Sequence, residues 1–169
     1  MASKVIRLED YPNYLEKVQV PELRKAVVRG IHSAAIRLVG LIQTSIIPSL
    51  HPTPVDRGVW RAGWKYEQLE DGSEIYNDEP HAPFIDFGVR AENVKPGKKM
   101  IDALAAWVER KGLVSKGESA RSIAFAIANR MKKRGIFNQG AGFRVIQQVE
   151  NRADGILKQE ISRELSKVA

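Results

Sequence analysis

Between Pro21 and Pro48 the apolar residues recur at three- and four-residue intervals, through Leu23, Val27, Ile31, Ala34, Leu38, Leu41 and Ile42, with Ser45 on the same stripe. That spacing predicts one amphipathic helix running to about Ile47. Pro21 suits its first turn, where a missing N–H costs nothing, and Pro48 stops it. Arg24, Lys25, Arg29 and Arg37 fall mostly off the apolar stripe, and Gly30 and Gly40 lower the intrinsic helicity. A long helix with one apolar face needs a partner surface, so the rest of the chain must supply one.

The segments after Pro48 are shorter and mixed. Leu50 to Gly58 is a proline-bearing loop. Trp60, Ala62, Trp64, Tyr66 and Gln68 alternate with other residues, which predicts a strand, and Asp71-Gly72 is a strong turn dipeptide. Glu74 to Asn77 returns as a second strand. Two strands alone bury little, so the sheet is expected to gain a third strand or to pack on the first helix. Pro80 and Pro83 then break regular structure before the patch Phe84-Ile85-Asp86-Phe87.

Arg90 to Lys99 reads as an exposed polar loop turning at Pro96-Gly97. Ile101, Leu104, Ala105 and Val108 mark a helix that Gly112 ends. Ser119, or Glu118 before it, opens a second helix carrying Ile123, Phe125, Ile127, Ala128 and Met131, which Gly135 closes. Gln139 to Gly142 reads as a flexible connection. Phe143, Ile146, Val149, Ala153, Ile156, Leu157, Ile161, Leu165 and Val168 trace a long final helix. The fold class is therefore α+β: a long N-terminal helix, a small antiparallel sheet with a β-hairpin, then three helices. Residues 1–20 form an N-terminal arm, and 21–169 a single α+β domain.

The chain has 169 residues, no cysteine and a net charge of +7. Disulfides and cysteine-based zinc sites are excluded, which suits a reducing cytoplasm. No uninterrupted apolar run approaches the ~18 residues of a membrane span, because His32, Arg37, Gln43 and Pro48 punctuate the longest one. The N-terminus, with Lys4, Arg7, Glu9 and Asp10, does not read as a secretory signal. A basic balance points to solubility, to an acidic protein partner or to nucleic acid. The basic residues are spread along the chain, apart from the run Arg130, Lys132, Lys133 and Arg134.

No catalytic set stands out. His81 near Asp78, Glu79 and Asp86 invites a metal site, but the flanking prolines favour a plain loop. Asp86, Glu92 and Lys95 are the only nuclease-like set, and two residues separate Glu92 from Lys95 where the usual pattern has one. No phosphate loop, nucleophile elbow or dinucleotide fingerprint is present. Trp60, Trp64, Tyr66, Phe84 and Phe87 suit a core better than a base-stacking platform. Arg130, Lys132, Lys133 and Arg134 sit in the last turn of a helix, where positive charge complements the dipole. They are also the candidate DNA-facing residues.

Two segments carry a more specific signal. One is Thr53-Pro54-Val55-Asp56-Arg57-Gly58-Val59-Trp60-Arg61-Ala62-Gly63-Trp64. The other is Asn77-Asp78-Glu79-Pro80-His81-Ala82-Pro83-Phe84-Ile85-Asp86-Phe87-Gly88. They resemble the Thr-Pro-x-Asp-Thr-Gly-x-Leu-Arg-x-Ser and Asn-x-x-x-Tyr-Ala-x-x-Glu-Phe-Gly patterns of tail-completion or minor tail proteins of tailed bacteriophages. Arg57, Trp60 and Gly63 depart from the first pattern. His81, Asp86 and Val89 depart from the second.

The resemblance implies a structural virion protein of the head-to-tail neck, without catalysis or cofactor, made in the host bacterial cytoplasm. It implies a homo-oligomeric ring around the DNA channel, six copies or alternatively twelve. The ring would touch other neck and tail proteins, let DNA pass without tight binding, and meet no membrane. The rival from another class is a small basic nucleic-acid-binding module, and a weaker one is a metal-dependent nuclease. Physically, the motif residues read as scaffold. Asp56 caps a turn, and Gly58 and Gly88 take backbone angles denied to other residues. Phe84 and Phe87 anchor their segment to the core, and Asp86 pairs with Arg61. The arm and the 90–99 loop are the expected partner contacts.

Overall fold

The computed structural model describes residues 6–7, 21–51, 57–115 and 117–168. The chain divides into two compact units, Met1–Pro83 with Arg144–Ala169, and Phe84–Phe143. The architecture is α+β, with helix predominating.

In the first unit, the long helix α1 spans Pro21–Leu41. It continues as a π-helical turn over Ile42–Ile46 and a 3-10 turn over Ile47–Ser49. Pro48 explains the change of pitch. Proline lacks an N–H and clashes with the preceding turn, so the hydrogen bonds re-register ahead of it. Side chains take up part of the slack: Thr44 Oγ donates to the Gly40 carbonyl at 2.8 Å and Ser49 Oγ to the Ile46 carbonyl at 2.8 Å. Val27, Ile31, Ala34, Leu38, Ile42 and Ile46 are buried, as the spacing requires, whereas Ser45 is exposed.

Pro21–Ser49 is long and apolar enough to cross a membrane by length and composition. Its apolar face is occupied instead. It packs on the last helix, α6 (Val145–Leu165), and on a hairpin made of β2 (Trp64–Gln68) and β3 (Ser73–Asn77). The two long helices run antiparallel, pairing Arg29 with Glu164 at 3.2 Å and Arg37 with Glu160 at 3.0 Å. Gly30 lets the helices touch: a Cβ there would meet the Ile161 Cα at 2.6 Å. The buried stripe of α6 runs through Val149, Ala153 and Leu157, and then through Glu160 and Glu164. Those two carboxylates are balanced by the arginines of α1 and by Arg163 and Lys167 one turn on.

The sheet is antiparallel in the order β1-β3-β2, with β1 a short strand at Ile6–Arg7. Both expected supports of the hairpin are present, a third strand and the first helix. The remainder of the 1–20 arm lies outside the described residues. Central β3 alternates with Ser73, Ile75 and Asn77 inward, while on edge strand β2 only Trp64 is buried. The strand expected from Trp60 begins later. Val59–Ala62 is a single helical turn, α2, and β2 starts at Trp64. Polar side chains tie the hairpin along α1. Gln43 Nε2 donates to the Trp64 carbonyl, His32 Nε2 faces the Leu69 and Gly72 carbonyls, and Arg24 pairs with Asp71 at 2.6 Å.

The second unit holds α4 (Lys98–Arg110) and α5 (Ala120–Arg134), packed through Ile101, Ala124 and Ala128 with Leu104 and Ala105 against them. Ser119 opens α5 in a reciprocal capping arrangement with Ser122. Gly112, with φ of 63°, comes after α4, and Gly135, with φ of 83°, closes α5. An isolated antiparallel bridge joins Val89 to Ile136. Between Pro80 and Gly88, where irregular chain was expected, a short helix α3 spans Ala82–Phe87. Pro83 sits in its first turn, where helices tolerate proline.

Candidate functional site

The first signature segment is described from Arg57 onward, so Pro54 and Asp56 lie outside the described residues. Gly58 has φ of 78°, a left-handed conformation that favours glycine, and its carbonyl accepts from the Ala62 N–H at 2.9 Å to start α2. The turn buries Trp60 and, one step on, Trp64, whose rings meet edge to face with centroids 6.4 Å apart. Arg61 is exposed.

The second segment starts at Asn77, at the end of β3, and Asn77 ties that start to the first segment. Its Nδ2 donates to the Trp60 carbonyl at 2.8 Å, and its Oδ1 accepts from the Glu79 N–H at 3.1 Å. The side chain is buried, and its bond to the Trp60 carbonyl forms away from water. Gly63 makes room: a Cβ there would sit 2.8 Å from Asn77 Oδ1.

The later part of the segment corrects the anchoring assigned to its phenylalanines. Phe84 is 50% exposed and Phe87 39%, while Ala82, Ile85 and Asp86 are buried. The helical turn explains the swap. Ala82, Ile85 and Asp86 lie three and four residues apart on one face, and Phe84 and Phe87 fall on the other. That spacing was legible in the sequence, but the two prolines hid it. Tyr66 is also exposed, so of the five aromatic residues only Trp60 and Trp64 serve as core.

Gly88 has φ of 73°. In the second unit it is pressed against the stretch after α5: a Cβ on Gly88 would run into the Gly142 nitrogen, and one on Gly142 into the Asp86 carbonyl oxygen. The Phe143 N–H donates to the Ile85 carbonyl at 3.1 Å, and Asn138 Nδ2 to the Gly142 carbonyl at 3.1 Å. The Gln139–Gly142 stretch is thus a closely packed turn in place of the flexible connection the sequence suggested. Arg61 belongs to the first unit and Asp86, buried, to the second.

The candidates for chemistry are dispersed into other roles. Asp78 pairs with Lys65 at 2.6 Å, and the hydrogen bond from that ammonium holds its carboxyl below the usual value. His81 Nδ1 lies 3.8 Å from Glu79 Oε2. Among the described residues no group of three or more His, Asp or Glu side chains is placed to hold a metal. Glu92 and Lys95 are exposed on the loop before α4.

Lys132, Lys133 and Arg134 occupy the last turn of α5, Arg130 stands just before it, and all four are exposed. Arg130, Lys133 and Arg134 share one stripe at three- and four-residue spacing. None of the four makes an ion pair with a described residue. No family model, no curated protein and no solved structure matches the chain.

Proposed function

We propose that this chain is a structural virion protein of a tailed bacteriophage, acting at the neck in tail completion or head-tail joining. Its copies form a ring, six in number with twelve as the alternative, through which DNA passes. The observation that carries the reading is the Asn77–Trp60 hydrogen bond, which ties the start of the second segment to the first, the two segments that resemble the tail-completion patterns. Their glycines, Gly58 and Gly88, take left-handed conformations, a backbone role and not a chemical one. Phe84 and Phe87 stand outward on α3 as apolar surface for a neighbouring subunit or neck protein.

The test is the native mass of the purified 18.9 kDa chain, read together with the map of its neighbouring genes. A closed ring, or a gene lying among portal, capsid and tail-tube genes, supports the proposal. A stable monomer encoded away from such genes, with nanomolar affinity for duplex DNA, overturns it in favour of a nucleic-acid-binding module.

A further inference from the structure

The cations are spread along the chain, but the carboxylates are not. Residues 84–143 carry 12 Lys and Arg against 5 Asp and Glu, which leaves +7; the remaining residues carry 15 against 15, which leaves zero. The whole net charge of the protein therefore belongs to the second unit. Of its five carboxylates, Asp86 is buried and Asp102 is paired with Arg121 at 2.7 Å, so few remain to offset the cations at its surface.

Within that unit the fold adds a cation to the run on α5. The antiparallel bridge between Val89 and Ile136 sets Arg90 opposite Gly135, and a Cβ on the nearby Gly140 would lie 3.0 Å from the Arg90 Cα. The next turn, Ala91–Asn93, packs against α5. Arg90 thus lies beside the end of α5 that carries Arg130, Lys132, Lys133 and Arg134, and all five are exposed. None of the five has an ion-pair partner among the described residues.

We propose that this group is a contact surface for the phosphate backbone of duplex DNA, weak and independent of base sequence. Three of the five are arginines, whose planar guanidinium matches the phosphate oxygens in pairs. Glu92, exposed on the adjoining turn, offsets one of these five charges, and the cations that remain in excess attract a polyanion by releasing its condensed counterions. Base-stacking platforms mark single-strand binders, and the group holds no aromatic residue. Phe125, also exposed on α5, has the Arg121 guanidinium over its ring at 5.8 Å. The inference rests on the neck reading only for the choice of duplex DNA as the polyanion. Weak contact also suits a channel through which DNA must slide.

The experiment measures binding of a fluorescently labelled duplex to the full-length protein as salt is raised from about 50 to 200 mM. Five phosphate contacts give a log–log slope of about −4.5, and affinity falls by roughly 500-fold over that range. Changing Arg130, Lys132, Lys133 and Arg134 together to Ala is expected to flatten the slope to about −0.9. Arg90→Ala alone is expected to reduce it by about 0.9. The control changes Lys25, Arg57, Arg152 and Lys158 to Ala, four exposed cations of the neutral unit, and is expected to leave the slope unchanged.

Equal flattening by the control would mean that net charge alone acts, and would overturn the proposal. So would no binding at the lowest salt. Tighter binding of a polyglutamate probe than of the duplex would assign the surface to an acidic protein instead. A monomeric native mass counts against the ring and leaves this surface standing, while a flat salt dependence in a ring-forming protein does the reverse.

Discussion

Asn77 Nδ2 donates to the Trp60 carbonyl at 2.8 Å, so one buried amide fastens the end of the central strand to the helical turn that precedes the hairpin. Asn77→Ala would leave that carbonyl and the Glu79 N–H without this partner. The expected cost is about 1–3 kcal/mol. Asn77→Asp is expected to be at least as harmful, because an acceptor then faces an acceptor. Urea midpoints of the two variants check the order, and an unchanged midpoint in either would remove Asn77 from its clamping role.

The glycines of the long helices are expected to respond in opposite directions. Gly30→Ala gains about 1 kcal/mol of helix propensity but drives a methyl into the Ile161 backbone, at a cost of about 1–3 kcal/mol. Backbone yields little, so a net loss is expected. Gly155, with nothing within 4 Å of a Cβ, is expected to gain about 0.5–1 kcal/mol on the same change. Thermal melts of the two single variants compare them directly. A stabilised Gly30→Ala would show that the helices are not in contact there.

Burial separates the aromatic residues. Trp60→Ala and Trp64→Ala are each expected to cost about 3–5 kcal/mol. Phe84→Ala and Phe87→Ala expose less and are expected to cost under about 1 kcal/mol in the isolated chain. If the two phenylalanines seat a neighbour, their replacement weakens assembly while leaving the melting temperature nearly unchanged. A large loss of melting temperature would return them to the core.

At Gly142 two penalties combine. A side chain there meets the Asp86 carbonyl oxygen and must hold φ near 71°. The left-handed conformation costs about 1–2 kcal/mol and the overlap about 1–3, so Gly142→Ala is expected to lose about 2–5 kcal/mol. Amide exchange across residues 84–143 reads the result. Unchanged protection would mean that the turn after α5 is looser than its packing implies.

Acid is expected to act through the paired carboxylates. The hydrogen bond from the Lys167 ammonium, and after it that from the Arg29 guanidinium, hold the Glu164 carboxyl below its ordinary value of 4.5. Lys65 does the same for Asp78, whose ordinary value is 3.8. A carboxyl whose pKa is lower folded than unfolded adds stability above the unfolded value and loses it as pH falls through the folded one. Acidification below about pH 4.5 is therefore expected to cost the native protein more stability than Glu164→Gln loses over the same interval. Parallel curves for the two proteins would exclude Glu164 as a source of acid sensitivity. At the alkaline end the sign reverses for Lys65, which Asp78 raises above 10.5: its contribution is present below that value and fades as pH climbs past it.

Local rules were enough to find most of the elements. The three- and four-residue spacing from Leu23, the prolines at 21 and 48, the Asp71-Gly72 turn, the Ser119 cap and the Gly135 stop all act within a few residues. The glycines at 58 and 88 were legible for the same reason, since left-handed backbone selects glycine wherever it occurs. Contacts between distant segments depended on the tertiary structure. Glu160 and Glu164 look like surface residues until α1 brings Arg29 and Arg37 across to them. Arg90 looks like part of a polar loop until the Val89–Ile136 bridge sets it beside the end of α5. Phe84 and Phe87 read as anchors because bulk and hydrophobicity are properties of a residue, whereas the face of a helix that finds cover depends on what the rest of the chain brings to it.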